Sequence, residues 1–428
     1  MAYEQDSDVP PINVARTEDE REQLLRRKLA ICSHTCVFPS ATGEHDGEEF
    51  LRKSRALSGV TEIEAATNDA AAARNRTTKR EALLEVVDFC GRHGAMLSAR
   101  PELYIEIVRM VGINLFRALP KRDLLAAEED DEDEPFMESA WPHLSIVYEL
   151  LLRLVMMNEV GASVKKKAYD LRFLSRILVL FDSQDMRERD YLKTIVHRLY
   201  GKLTQRRAAM RRMFASTFQA FIFENTGDSH HHSGMCEILE ILASIINGFA
   251  VPIKPEHLNM LQHTLVPLHK VQNVDRFHPQ LAYCMVQFAN KDPTLTIPII
   301  EGLLKFWPCS NSTKILLFLN ELDELFDFVQ VAQAEALFDQ LVNRIKACVS
   351  SEHFQVAERT LQLWTSPSFT ALFVENPTLR QRALRVLYAP LSLTIESHWN
   401  SSVQEAAQAV LSHYSEADPQ LYSSLLQS

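Results

Sequence analysis

The sequence predicts an all-α protein: a curved superhelix, or solenoid, of HEAT-like antiparallel helix pairs. Three observations carry that prediction. Only 12 of the 428 residues are Gly, and long runs are rich in Leu, Ala, Glu and Arg, the composition of helices. Helical segments follow closely from Trp141 to the C-terminus, with no strand-rich region among them. Adjacent helices pair into units of roughly 40 residues, the length of HEAT or armadillo-type repeats, although the units resemble one another only weakly. A repeat array grows lengthwise, so one domain is expected over 17–428, after a flexible lead of residues 1–16.

Taken in order, Thr17 is placed to cap a helix, with Glu20 three residues on. FPSATGEHDGEE (38–49) breaks that helix, and the Ala-rich stretch 50–75 is left open between helix and mobile chain. Helical signal returns at Thr78, with Leu83, Leu84, Val87 and Phe89 in a compact apolar pattern. Pro101 suits a helix start, Ile105, Val108, Val111 and Leu115 follow at helical spacing, and Pro120 ends the run. EEDDEDE (128–134) repels itself and reads as a solvated acidic loop; it lacks the turning glycines of a calcium loop. Later helices are expected to begin near Trp141, Ala168, Arg187, Met235, Pro255, His278, Leu295, Lys314, Ala332, His353, Asn376 and Ser401. Ser350 and Ser351 are expected to cap the helix carrying Phe354, Ala357, Leu361 and Trp364.

Composition excludes several classes. A net charge of −11 argues against general nucleic-acid binding, and no run of ~18 uncharged apolar residues could span a membrane. The acidic, proline-containing start is unlike a secretory or transit peptide. Seven scattered Cys fit reduced thiols, so the expected location is cytoplasmic, with the nucleus also open. Cys32 and Cys36, one helical turn apart, lack a second ligand pair and are read as packing rather than zinc ligands. The run His230, His231, His232 is read as a solvated loop. No phosphate loop, dinucleotide fingerprint, nucleophile elbow or His-Glu-x-x-His is present, so no enzyme, metal or cofactor is expected.

One stretch opposes the acidic whole. Arg187 to Arg212 reads RERDYLKTIVHRLYGKLTQRRAAMRR, with nine Lys or Arg against Glu188 and Asp190, a local net of +7. Spacing predicts two neighbouring helices, Arg187 to Arg212 and Met235 to Phe249. Leu192, Ile195, Val196, Leu199 and Leu203 form an apolar face. Lys193, His197 and Tyr200 share a stripe roughly 60° wide, with Arg198 on the far flank. On the second helix Ile238, Leu242, Ile245, Ile246 and Phe249 form the buried face; Glu237, Glu240, Ser244 and Asn247 the polar one; Ile241 the border. The two edges suit a groove for a peptide with apolar and acidic side chains. On periodicity alone a merely solvated basic face stays open.

Several strings carry a resemblance. SAWPHL (139–144), LFDSQDMRERDYLKT (180–194), HRLYGK (197–202), EILEILASIINGFAVPIKPEH (237–257), LVPLHKV (265–271), HPQLAYCMVQF (278–288) and SSEHFQVAER (350–359) resemble the B-prime family of protein phosphatase 2A regulatory subunits. NLFRALP (114–120) and the acidic DEDEP look like it too. The resemblance implies a superhelix of pseudo-HEAT repeats and a non-catalytic subunit. Such a subunit docks on the phosphatase scaffold and catalytic subunits and recruits substrates bearing Leu-x-x-Ile-x-Glu motifs. Carried over, the groove would use Lys193, His197, Arg198, Tyr200, Arg207, Glu240, Ile241, Ile245, Lys254 and His257. Ile241 and Ile245 would bury the motif isoleucine, with Tyr200 as a wall, at roughly 1.5–3 kcal/mol. Lys254 and His257 would hold the motif glutamate, Arg198 would pair with a phosphate or acid, and Glu240 would orient a neighbour. Arginine at 241 and 245 is expected to abolish peptide binding and leave thermal stability intact.

The sequence departs from that family where Thr204-Gln205-Arg206 replaces a more apolar run, and in its N-terminal 75 residues and the 225–234 loop. A helical-repeat cargo or transport adaptor working without a phosphatase is the alternative of a different class.

Overall fold

The computed structural model describes residues 9–34, 36, 38, 62–119, 136–224 and 232–427. Among these residues every regular element is a helix, and none is long and apolar enough to cross a membrane. The acidic run 128–134 and most of the 225–234 loop lie outside the described residues. The chain divides into two compact units. The first is Met1–Ser216 with His231–Ile238, the second Thr217–His230 with Leu239–Ser428.

In the first unit the helices are α1 (Glu18–Ser33), α2 (Glu62–Arg92), α3 (Gly94–Ala99), α4 (Pro101–Leu115), α5 (Trp141–Met156), α6 (Ala162–Ala168), α7 (Leu171–Val179) and α8 (Met186–Lys202). α2, α5 and α8 stack in succession, and α1, α4 and α6 form a second row beside them. Thr17 and Glu20 form the expected capping box, satisfying two otherwise orphan N–H groups. Pro101 takes the first position of α4, where its missing N–H costs nothing. α2 begins at Glu62, well before Thr78.

The N-terminal lead also differs from expectation. Val9, Ile12 and Ala15 are buried, and Ile12 N donates to Glu85 Oε2 at 3.2 Å. A long-range hydrogen bond ties this segment to α2 and its 3-10 turn packs on α1.

α9 (Arg207–Glu224) and α10 (Met235–Asn247) come next in the chain. The second unit then holds α11 (Pro255–Met260), α12 (Val266–Leu268), α13 (His278–Lys291), α14 (Thr296–Lys305), α15 (Ser312–Phe326), α16 (Val331–Val349), α17 (Phe354–Leu361), α18 (Pro367–Thr370), α19 (Pro377–Ser397), α20 (Ser401–Ala417) and α21 (Pro419–Leu426). α13, α15, α17 and α20 pack in one row, and α12, α14, α16 and α19 in the other, with α14 on α15, α16 on α17 and α19 on α20. This two-row stacking of successive helix pairs is the repeat pattern the spacing predicted. Phe326, Phe369 and Phe373 interlock edge-on in its core. Asn376 caps α19 through its Oδ1. Ser350 and Ser351 do not cap α17: the N-cap is His353, and Ser351 Oγ instead accepts from His353 N.

Candidate peptide-binding site

The basic run is not one helix. α8 ends at Lys202, a 3-10 turn spans Thr204–Arg206, and α9 restarts at Arg207. Leu203 is buried at the break, and Arg207 folds back so that its guanidinium donates to the Tyr200 and Gly201 carbonyls at 3.0 and 3.2 Å. Those last carbonyls of α8 have no intrahelical partner, which is why an arginine here favours a break over continuation.

The charge of this run is partly consumed at home. Asp185 caps α8 and is bound by Arg187, whose guanidinium also lies over the Trp141 ring at 4.7 Å. Glu188 is fully buried: Arg117 grips it with two parallel bonds of 2.8 and 2.9 Å, and the Tyr148 hydroxyl donates to it. Arg117 also reaches Glu138, whose backbone N–H donates to Asp185. Arg189 pairs with Glu237 at 2.8 Å and donates to the Ser183 and Gln184 carbonyls. Glu237, expected on a polar face, is therefore buried. Sequence reasoning missed this network because the partners lie 48 and 71 residues apart.

The expected stripe of α8 grades from solvent to core. His197 and Arg198 are exposed, Lys193 is half-buried with its Nζ 3.3 Å from Asp190, and Tyr200 is buried. Desolvation, and second the charge of Arg198, hold the His197 imidazole below its ordinary value. Tyr200 is fixed from two sides. Arg207 lies over its ring at 5.2 Å, and Arg211 donates to its hydroxyl at 2.9 Å. Tyr200 and Arg207 thus come together.

In the second unit Ile241 and Ile245 sit one turn apart on α10, and Glu240 is exposed beside them. Ile241 is only 2% exposed and Ile245 5%, so Ile241 is a core residue rather than a border one. Arginine at either position would drive a cation into apolar packing, and the expectation of intact stability fails on that ground. Lys254 is the exposed N-cap of α11, and its carbonyl accepts from His257 N and Leu258 N. His257 is buried, with its ring stacked on Phe249 at 3.7 Å and 5° and its Nε2 3.3 Å from Glu256. The stack sets the ring plane, and the cap position leaves the Lys254 ammonium in solvent.

Among the described residues one cluster has metal-ligand chemistry: His269, His278 and Glu321, all buried in the second unit. Both imidazoles close on the one carboxylate. His269 Nε2 lies 3.1 Å from both carboxylate oxygens, His278 Nε2 lies 2.9 Å from one, and His269 Nδ1 faces the Val266 carbonyl at 2.9 Å. His230 and His231 lie outside the described residues, while His232 Nδ1 accepts from Gly234 N. All seven cysteines are free.

The family model described as "Protein phosphatase 2A regulatory B subunit (B56 family)" matches residues 10–428. The chain belongs to the B56 family. B56 relatives agree. The B-prime alpha isoform of the 57 kDa regulatory subunit from Arabidopsis thaliana is 41% identical over 94% of this chain and 75% of its own length. The alpha isoform of the human 56 kDa regulatory subunit is 40% identical over 83% of this chain and 71% of its own. The rabbit (Oryctolagus cuniculus) delta isoform is 42% identical over 81% of this chain. The chain spans 58% of that delta isoform's length and 56% of the human one's. The network of Glu138, Asp185, Arg187 and Glu188 is built from residue 138 and the 180–194 stretch.

Proposed function

We propose that this B56 chain is the non-catalytic, substrate-selecting subunit of a protein phosphatase 2A heterotrimer. It docks on the scaffold and catalytic subunits, and it recruits proteins through Leu-x-x-Ile-x-Glu-type motifs. The observation that carries the reading is the family match across 10–428, with relatives named as phosphatase 2A regulatory subunits. The groove residues add chemistry that suits such a motif: exposed cations at Arg198 and Lys254, a braced aromatic at Tyr200, and an imidazole held flat on Phe249. The working compartment on this reading is the cytoplasm, with the nucleus open.

Fluorescence polarisation with a Leu-x-x-Ile-x-Glu peptide tests the groove. Arg198→Glu and Lys254→Glu change exposed side chains, so both should fold normally and weaken binding about tenfold or more, the loss of one charge-assisted contact. Undiminished binding by both variants would remove these residues from the groove. Pull-down that returns no phosphatase subunits would favour the free adaptor instead.

A further inference from the structure

A second basic feature lies in the first unit, outside the motif residues. α6 and the end of α8 with its following turn line an open cleft with a volume of about 260 Å³. One water needs about 10–15 Å³ on this measure, so the space has room for a small ligand. Three cations line it, Lys166, Lys202 and Arg206, together with the hydroxyls of Ser163 and Thr204 and the amide of Gln205. No carboxylate lines it, and none of the three cations is in an ion pair among the described residues. Their hydrogen bonds go to neutral acceptors: Lys166 to Gln205, Lys202 to Asn158 at 2.7 Å, Arg206 to the Lys166 carbonyl at 3.1 Å. Arg206 Nε is shielded from solvent and has no acceptor among the described residues. Such a buried donor costs free energy until something accepts from it.

Three like charges around one space repel one another unless an anion neutralises them. Their reach extends further. Burial first, and then the charge of Lys202, press the neighbouring Lys165 ammonium down to about 8. The lining pairs guanidinium and ammonium donors with two hydroxyls, a set that matches a tetrahedral oxyanion with several acceptor atoms better than a single carboxylate. This turn, Thr204-Gln205-Arg206, is also the stretch expected to be more apolar on the family resemblance.

We propose that this cleft is a phosphomonoester site, taking the dianionic phosphoryl group of a phosphorylated side chain or of a free phosphate. It holds without the motif-groove reading, because none of the groove residues lines it.

The test is a ³¹P NMR titration of the full chain with a phosphoserine peptide that lacks any Leu-x-x-Ile-x-Glu motif. Inorganic phosphate and sulfate are run in parallel at constant ionic strength. The peptide resonance should broaden and shift saturably. Lys166→Ala and Arg206→Leu should each weaken binding about fivefold or more, one charge-assisted contact's worth. Lys202→Ala does the same without touching the Arg206 turn, and thermal melting of all three reports whether each stays folded. Tighter binding of the peptide than of inorganic phosphate assigns the site to phosphorylated proteins; equal binding assigns it to free phosphate. Absence of saturable binding at millimolar ligand overturns the proposal. So does sulfate binding equal to phosphate, or binding that survives in all three folded variants.

Discussion

Glu188 and Glu321 are both fully buried carboxylates, and the two are satisfied differently. Glu188 has a bidentate arginine and a tyrosine hydroxyl. Removing Arg117 would leave that charge stranded, so Arg117→Ala should cost about 3–5 kcal/mol in urea unfolding. Tyr148→Phe removes a single hydrogen bond to a charged group and should cost about 1.5–3 kcal/mol. A smaller loss for Arg117→Ala than for Tyr148→Phe would contradict this ranking. Glu321 answers to imidazoles. Burial alone would raise its carboxyl, but the His269 charge and the hydrogen bonds from His269 and His278 prevail and hold it down to about 2. A carboxyl lowered in the folded state stabilises fully above its unfolded value of about 4.3, and that contribution drains away as pH falls from there toward 2. Glu321→Gln should therefore be clearly less stable than wild type at pH 7. The gap should narrow between pH 4.5 and 3, and a gap independent of pH would refute the assignment.

At the scale of elements, packing tolerances decide which sequences the helix pairs accept. A Cβ on Gly302 would sit 2.2 Å from Val266 Cγ1, so α14 approaches α12 as closely as it does only because residue 302 has no side chain. Gly302→Ala should destabilise by about 1–3 kcal/mol, as overpacking does. Adding Val266→Ala should recover part of that loss, a coupling that melting of the double-mutant cycle would reveal. Element starts were the most legible feature of the sequence. Thr17, Pro101 and Asn376 act through local bonds within three residues of themselves, so their roles can be read from spacing. The interruption at 203–206 was not legible. Hydrophobic spacing runs on through Leu199 and Leu203, and the break depends on Arg207 turning back to the α8 carbonyls.

For the molecule as a whole, an acidic chain of net −11 presents its spare cations locally, so recognition should be electrostatic and short-ranged. Motif-peptide affinity should fall several-fold between about 0.05 and 0.15 M salt, as the screening length shortens toward ~8 Å. A salt-independent affinity would point to apolar contacts alone. Affinity purification of the full chain should return a phosphatase scaffold and catalytic subunit together.

By itself the sequence determined the all-helical repeat, most of its helix starts and the family. Those follow from local capping, from periodicity and from strings of residues, all short-range information. Tertiary structure alone decided which charges remain for a ligand. It buried Glu188 against Arg117 and Glu237 against Arg189, turned Ile241 from a border residue into core, and gathered Lys166, Lys202 and Arg206 around one cleft. Burial and ion pairing across 40 to 70 residues of chain depend on which helix faces meet, and no local pattern encodes that.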